Sequence, residues 1–248
     1  YRGGAVLIED NDSILSIISS FFLSNHAIEN GGALYIGTNT KLYLSKSLFR
    51  KNIAHQCGGA IALYYSQGIL NSVNISENHA VYEGGAIVMV RGKASLLNSY
   101  ILNNLGANSG GIGIFTFSVL EVISSIFSYN IGEITGGALS ISGSDSSVNV
   151  SKSEISNNIA PTGGGISLNG GSLTLVDTLV LNNTAFSSLT FKLLEGNCTV
   201  SKGCFYSSNF PNDYSNNEKC IFQSNDNGVL EVMSFFTEPN RDTLTINN

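Results

Sequence analysis

Apolar and polar residues alternate along short stretches of the chain, for example at 42–44, 120–122, 148–150 and 173–175. A period of two places successive side chains on opposite faces of a β-strand. The apolar positions hold mostly β-branched residues, Leu or aromatic residues, and a helical period is absent. The pattern therefore predicts an all-β fold made of many short strands.

The strand patterns recur in copies of 25 to 28 residues, which is the signature of a stacked repeat architecture. Six of the seven Gly-Gly pairs have an Asn six residues before them, and a bulky apolar residue stands three positions before each repeated Asn, including Asn183, which no Gly-Gly follows. The glycine pairs lie at 3–4, 31–32, 58–59, 84–85, 110–111, 136–137 and 164–165. The repeated asparagines are Asn25, Asn52, Asn78, Asn104, Asn130, Asn158 and Asn183.

One copy of this length cannot bury its apolar face alone, so the copies must stack. We expect about seven coils of a parallel β-solenoid, in which equivalent residues form ladders at a spacing of about 4.8 Å. Gly-Gly would supply positive φ at a tight corner, and the asparagines would form a structural ladder at a turn. A Ser or Thr that precedes the bulky position in most copies would pair its hydroxyl with the next coil.

Gly-Gly-Ala-aliphatic combined with Phe-x-x-Asn resembles the repeat of chlamydial polymorphic outer membrane proteins and related pectin-lyase-like right-handed β-helices. The resemblance covers residues 3 to about 188. It implies a right-handed parallel β-helix, which we assign to residues 1–190. It also implies a secreted or surface-exposed protein with an adhesive or scaffolding role.

Residues 191–248 differ from the repeat and resemble part of a CUB domain, a β-sandwich family. The segment 203–222, with its Cys, Asn-Phe-Pro and Cys-Ile-Phe elements, carries this resemblance, together with Asp-Thr-Leu-Thr-Ile at 242–246. It implies a partial β-sandwich with a disulfide between Cys198 and Cys220. Cys204 and Cys57 are then left over. Glu238 and Asp242 fall near the calcium ligands of such domains, but their spacing is shorter than the family's, and two carboxylates alone would not hold calcium tightly.

Charge and hydropathy limit the partners that we expect. The chain carries 12 basic and 18 acidic residues, a net charge of −6, and no basic run larger than Arg50-Lys51. Nucleic acid is therefore not an expected partner. No apolar stretch approaches the roughly 18 residues that a transmembrane helix needs. The cysteine pattern favours an oxidising, extracellular compartment, and the start at Tyr1 suggests a fragment or a processed product.

Five Asn-x-Ser/Thr sequons are candidate glycosylation sites: Asn11, Asn74, Asn149, Asn182 and Asn197. Asn74 and Asn149 each stand between two inward positions of a strand. We therefore expect both side chains to face solvent and to be the first to carry glycans.

Catalytic chemistry finds little support in the sequence. Glu29, Glu83 and Glu133 stand at similar turn positions, but intervening copies carry neutral residues there, so we predict a solvated surface. The three histidines, His26, His55 and His79, are not expected to converge on a metal. We predict no catalytic residue, metal or cofactor.

These observations favour an extracellular structural or adhesive surface protein that associates with itself, end to end, as the subunit of a glycosylated fibre. One alternative is a polysaccharide lyase or glycoside hydrolase of the pectin-lyase-like class. Another is a fragment of a receptor that binds its ligand through the CUB-like module.

Overall fold

A computed structural model describes residues 1–9, 12–185, 191–195, 199–201, 204–206 and 221–224. The chain divides into two compact units, Tyr1–Ser187 and Ser188–Asn248. The described residues contain no helix that is long and apolar enough to cross a membrane.

The first unit consists of short strands, four to each coil. In chain order the strands of coils 1 to 4 are β1 (Val6–Ile8), β2 (Ile14–Ile18), β3 (Phe21–Leu23), β4 (His26–Ala27), β5 (Leu34–Ile36), β6 (Lys41–Ser45), β7 (Leu48–Arg50), β8 (Ile53–Ala54), β9 (Ile61–Tyr64), β10 (Gln67–Asn71), β11 (Asn74–Ser76), β12 (His79–Ala80), β13 (Ile87–Val90), β14 (Lys93–Leu97), β15 (Tyr100–Leu102) and β16 (Leu105–Gly106). Those of coils 5 to 7 are β17 (Ile112–Phe115), β18 (Val119–Ile123), β19 (Ile126–Ser128), β20 (Ile131–Gly132), β21 (Leu139–Ser142), β22 (Ser147–Ser151), β23 (Glu154–Ser156), β24 (Ile159–Ala160), β25 (Ile166–Asn169), β26 (Ser172–Val176), β27 (Leu179–Leu181) and β28 (Thr184–Ala185).

Four parallel, seven-stranded sheets run along the solenoid, one for each strand position in the coil. We name them sheets A to D, beginning with β1, β2, β3 and β4 respectively. Equivalent residues pair in register, so that Leu70 stands between Leu44 and Leu96 in sheet B. The predicted all-β, right-handed parallel β-helix of about seven coils is confirmed.

The interior is a set of apolar ladders. The bulky column is completely buried from Phe49 through Ile75, Ile101 and Phe127 to Ile155. Full burial of such side chains contributes roughly 1.5–3 kcal/mol each, so the column is a main source of stability. The last coil is different, because its equivalent residue Val180 is 47% exposed.

The corners of each coil take residues with positive φ, a conformation that costs a non-glycine residue about 1–2 kcal/mol. The column between sheets B and C is Ser19, Lys46, Ser72, Asn98, Ser124, Lys152 and Asp177, and the column between sheets C and D is Ser24, Lys51, Glu77, Asn103, Tyr129, Asn157 and Asn182. The repeated asparagines follow the second column and have negative φ. Their value at the turn is therefore hydrogen bonding and not tolerance of positive φ.

The glycine corner between sheets D and A follows the expected chemistry, with one correction. The first glycine has positive φ, as at Gly58 and Gly84, and a side chain on the second would collide with backbone of the next coil, as at Gly85. In coils 5 and 7 the strand register aligns 109–110 and 163–164 with these pairs, one residue earlier than predicted. Those two turns are one residue shorter than the others. The sequence does not show this, because a Gly-Gly pair stands at the expected spacing in both coils.

The second unit has four described strands: β29 (Phe191–Glu195), β30 (Thr199–Ser201), β31 (Cys204–Tyr206) and β32 (Ile221–Ser224). β29 pairs with β32 and β30 with β31, both antiparallel. Antiparallel pairing contrasts with the parallel first unit. The partial CUB-like sandwich stays a prediction, because most of its residues lie outside the described ones.

Candidate functional site

The repeated asparagines form a buried hydrogen-bonded ladder. The Oδ1 of Asn104 accepts from the backbone N–H and the Nδ2 of Asn78, at 2.9 and 3.0 Å. The Nδ2 of Asn104 donates to the carbonyl of Ile75 and to the Oδ1 of Asn130. The same bonds recur from Asn25 to Asn183. Every polar atom of the amide is used inside the fold, so this column is architecture and not a ligand site.

The serine column bonds differently from the prediction. The hydroxyl of Ser125 accepts from the backbone N–H of Ser99 at 3.1 Å and donates within its own coil to the carbonyl of Ile123. Hydroxyl groups therefore bridge backbone groups of neighbouring coils and do not pair with one another. At Val73 the hydroxyl is missing, so the N–H of Ser47 has no such partner.

The three glutamates do not form a ladder, since they lie two, one and three residues before the first glycine of their turns. Glu29 pairs with Arg2 at 3.0 Å. Glu83 is half-buried; its Oε1 accepts from Asn108 Nδ2 at 2.6 Å, and its buried Oε2 has no hydrogen-bond partner among the described residues. Burial raises the pKa of Glu83. The raised pKa of Glu83 concerns one carboxyl group, whereas glycoside hydrolysis uses a pair of carboxyl groups.

Two of the three histidines lie side by side. The ring centroids of His26 and His55 are 4.7 Å apart, because adjacent coils bring their turns together. Burial lowers the pKa of His79, which is half-buried nearby. Among the residues that the structure describes, no group of three His, Cys, Asp or Glu side chains could hold a metal ion.

Cys57 is a free, half-buried thiol. Burial, together with the nearby Glu83 carboxylate, raises its pKa to about 11, so the thiol stays protonated and weakly nucleophilic at neutral pH. Cys204 begins β31. The predicted Cys198–Cys220 disulfide and the calcium candidates Glu238 and Asp242 lie outside the described residues.

The sequons occupy different environments. Asn149 and Asn182 are exposed, whereas Asn74 is half-buried with its Oδ1 enclosed. Asn74 lines an open groove of about 390 Å³, together with the corner residue Ser72 and with Tyr100. The expectation of a freely exposed side chain therefore fits Asn149 better than Asn74. Asn11 and Asn197 lie outside the described part of the chain.

The corner between sheets A and B carries a cluster that sequence reasoning missed. In coils 3 to 5 its positive-φ residues are Tyr65, Arg91, Thr116 and Phe117. The Arg91 guanidinium lies over both rings, with its Cζ 5.4 Å from the Tyr65 centroid and 5.6 Å from the Phe117 centroid, and it donates to the Tyr65 hydroxyl. Both rings stay about half exposed, at 47% and 58%.

Two lysines adjoin this corner at the start of sheet B. Lys41, Gln67 and Lys93 are register partners in successive coils, and all three side chains are exposed. A shallow depression of about 200 Å³ lies among them. We call these six residues, Lys41, Tyr65, Gln67, Arg91, Lys93 and Phe117, the basic strip. A surface of cations, an amide and aromatic rings can bind an anion, donate to hydroxyl groups and cover an apolar face.

Comparisons of the chain with protein-family models, with curated proteins and with solved structures find no match. The parallel β-solenoid of about seven coils is therefore what is established about its class, and it rests on the fold alone.

Proposed function

We propose that the chain is an extracellular structural and adhesive surface protein that assembles end to end as the subunit of a glycosylated fibre. The observation that carries the proposal is the in-register stacking of seven coils, each of which adds one strand to the same four parallel sheets. Within one chain each coil stacks on the next through the same contacts. An end coil of one copy can therefore stack on an end coil of another copy in the same way.

The last coil supports this proposal. Its core-column residues Leu175 and Val180 are 43% and 47% exposed, whereas their equivalents one coil earlier, Val150 and Ile155, are completely buried. A further coil stacked in register would bury them, with a gain of about 1 kcal/mol for each side chain. Asn183 would then donate to an asparagine of that coil, as the others in the ladder do.

The extracellular setting draws on the resemblances to surface-protein repeats and to a CUB module, and on the exposed sequons Asn149 and Asn182. The proposed role involves no catalysis. It depends on rigidity, because a solenoid with hydrogen-bonded ladders along its whole length holds its lateral faces at fixed spacing for binding.

The test is electron microscopy of the native material, combined with intact mass before and after deglycosylation. We expect filaments and excess mass that glycosidase removes. Leu175→Asp with Val180→Asp should shorten or abolish the filaments, because charge would enter a surface that must become buried. Ile53→Asp with Ile131→Asp, at apolar lateral positions that are 39% and 42% exposed, is the matched control. Unmodified monomeric particles would contradict the proposal.

A further inference from the structure

The basic strip stands out against the charge of the whole molecule. The chain is acidic, with a net charge of −6. Yet none of the ion pairs among the described residues involves Lys41, Arg91 or Lys93. Glu121, in sheet B two positions along from the column of Lys93, accepts a hydrogen bond from Ser95 instead. Three cations on one narrow surface are therefore left to face solvent together.

The backbone at the strip is held in an unfavourable conformation. Tyr65, Arg91 and Phe117 all have φ near 50°, where large side chains cost about 1–2 kcal/mol each. The small residues that follow them, Ser66, Gly92 and Ser118, are buried, so the large side chains are directed outward. Folding alone would be better served by Gly or Asn at these positions. Corners on both sides of sheet C also hold non-glycine residues at positive φ, so what sets this corner apart is one guanidinium in contact with two exposed rings.

The spacing of the strip matches a linear ligand that lies along the solenoid axis. Lys41 and Lys93 are two coils apart, which corresponds to about 10 Å. The Arg91 guanidinium lies beside them at the corner, with a ring on each side. The depression between the two lysines is shallow and lined by Tyr43 and Ile69, which suits a narrow chain more than a protruding side chain.

We propose that the basic strip binds an anionic polysaccharide lying along the solenoid axis. Lys41, Arg91 and Lys93 would pair with sulfate or carboxylate groups, and Gln67 with sugar hydroxyls. The exposed faces of Tyr65 and Phe117 would cover the apolar faces of sugar rings. This inference rests on the proposed function, since it names the ligand class of an adhesive surface protein.

The experiment measures binding of the full chain to immobilised heparin and hyaluronan, with dextran and single-stranded oligo-dT as comparisons, at several salt concentrations. We expect binding to the charged glycans that weakens as salt rises, and none to dextran. Lys41→Gln, Arg91→Gln and Lys93→Gln combined should weaken it about tenfold, because three exposed charge pairs are lost.

The matched control combines Lys46→Gln, Lys51→Gln and Lys152→Gln, which changes the net charge equally at other corners. It should change the affinity by less than about twofold. Tyr65→Ala with Phe117→Ala keeps every cation and should still weaken glycan binding about threefold. Thermal unfolding of each variant shows whether the fold is retained.

Three results would overturn the proposal: no binding to either charged glycan, equal loss in the strip and control variants, or oligo-dT binding as tightly as heparin. The last would indicate a nonspecific polyanion surface. The assay uses the purified chain and does not require filaments. Failure here would therefore leave the fibre proposal standing, and an absence of filaments would leave glycan binding to be judged separately.

Discussion

Two corners of the same coil use opposite chemistry. At the turn after sheet C, an asparagine recurs in every coil. Its side chain is buried in the central coils, and its amide oxygen and nitrogen both form hydrogen bonds with neighbouring coils. At the turn between sheets A and B, the residues change from Tyr65 to Arg91 to Phe117, are exposed, and sit in a strained backbone conformation. Repetition with burial indicates architecture, whereas variation with exposure and strain leaves a surface free for binding.

The comparison predicts a large effect of substitution at the buried asparagine and a small one at the exposed corner. Asn104→Ala should lower the free energy of unfolding by about 4 kcal/mol, because it strands buried donors on Asn78 and the carbonyl of Ile75. Urea denaturation measures the loss. Asn103→Gly, at the adjacent exposed position with positive φ, is the control and should be neutral or stabilising. A loss below 1 kcal/mol for Asn104→Ala would mean that the asparagine ladder is not a main source of stability.

The serine column lacks one hydroxyl group, at Val73, and a substitution can supply it. Val73→Thr places a hydroxyl where the neighbouring coils have Ser47 and Ser99, and keeps a methyl group for packing. The new oxygen can accept from the N–H of Ser47, so we expect a gain of about 0.5–1 kcal/mol. Val73→Ala serves as the control, since it removes packing without adding an acceptor. A loss for the threonine variant would mean that the valine packing outweighs the missing bond.

The smallest effect is expected at the exposed corner. Phe117→Asn relieves positive-φ strain but loses the ring contact with Arg91, so the free energy of unfolding should change by less than about 0.5 kcal/mol. Thermal or urea unfolding of the variant beside the unmodified chain measures it. A loss of 2 kcal/mol or more would show that Phe117 serves the fold, and the contrast between the two corners would fail.

Much of the solenoid follows from the period of the sequence. Residues repeated at about 26-residue spacing must occupy one column, so the buried ladders from Phe49 to Ile155 were predictable before any coordinates. The glycine register was wrong in coils 5 and 7, because a repeated Gly-Gly conceals a one-residue deletion in a turn. Strand pairing settles such ambiguity, since a shift of one residue would turn every side chain to the other face.

The contact between His26 and His55 illustrates what the period does not show. Their column positions differ, and the path of the turn brings the rings together. Turn paths depend on φ and ψ at a few residues, and Lys, Tyr and Arg at positive φ give no sign of it in the sequence.

The sequence by itself determined the class of fold, the number of coils and the buried columns, because a short period leaves apolar faces that only stacking can bury. The tertiary structure decided which surface residues become neighbours. Lys41 lies far from Arg91 and Lys93 along the chain, so no basic run is visible, yet register brings all three to one side of the solenoid. Packing along the axis created this surface, since it joins residues a coil apart that the chain itself keeps separate.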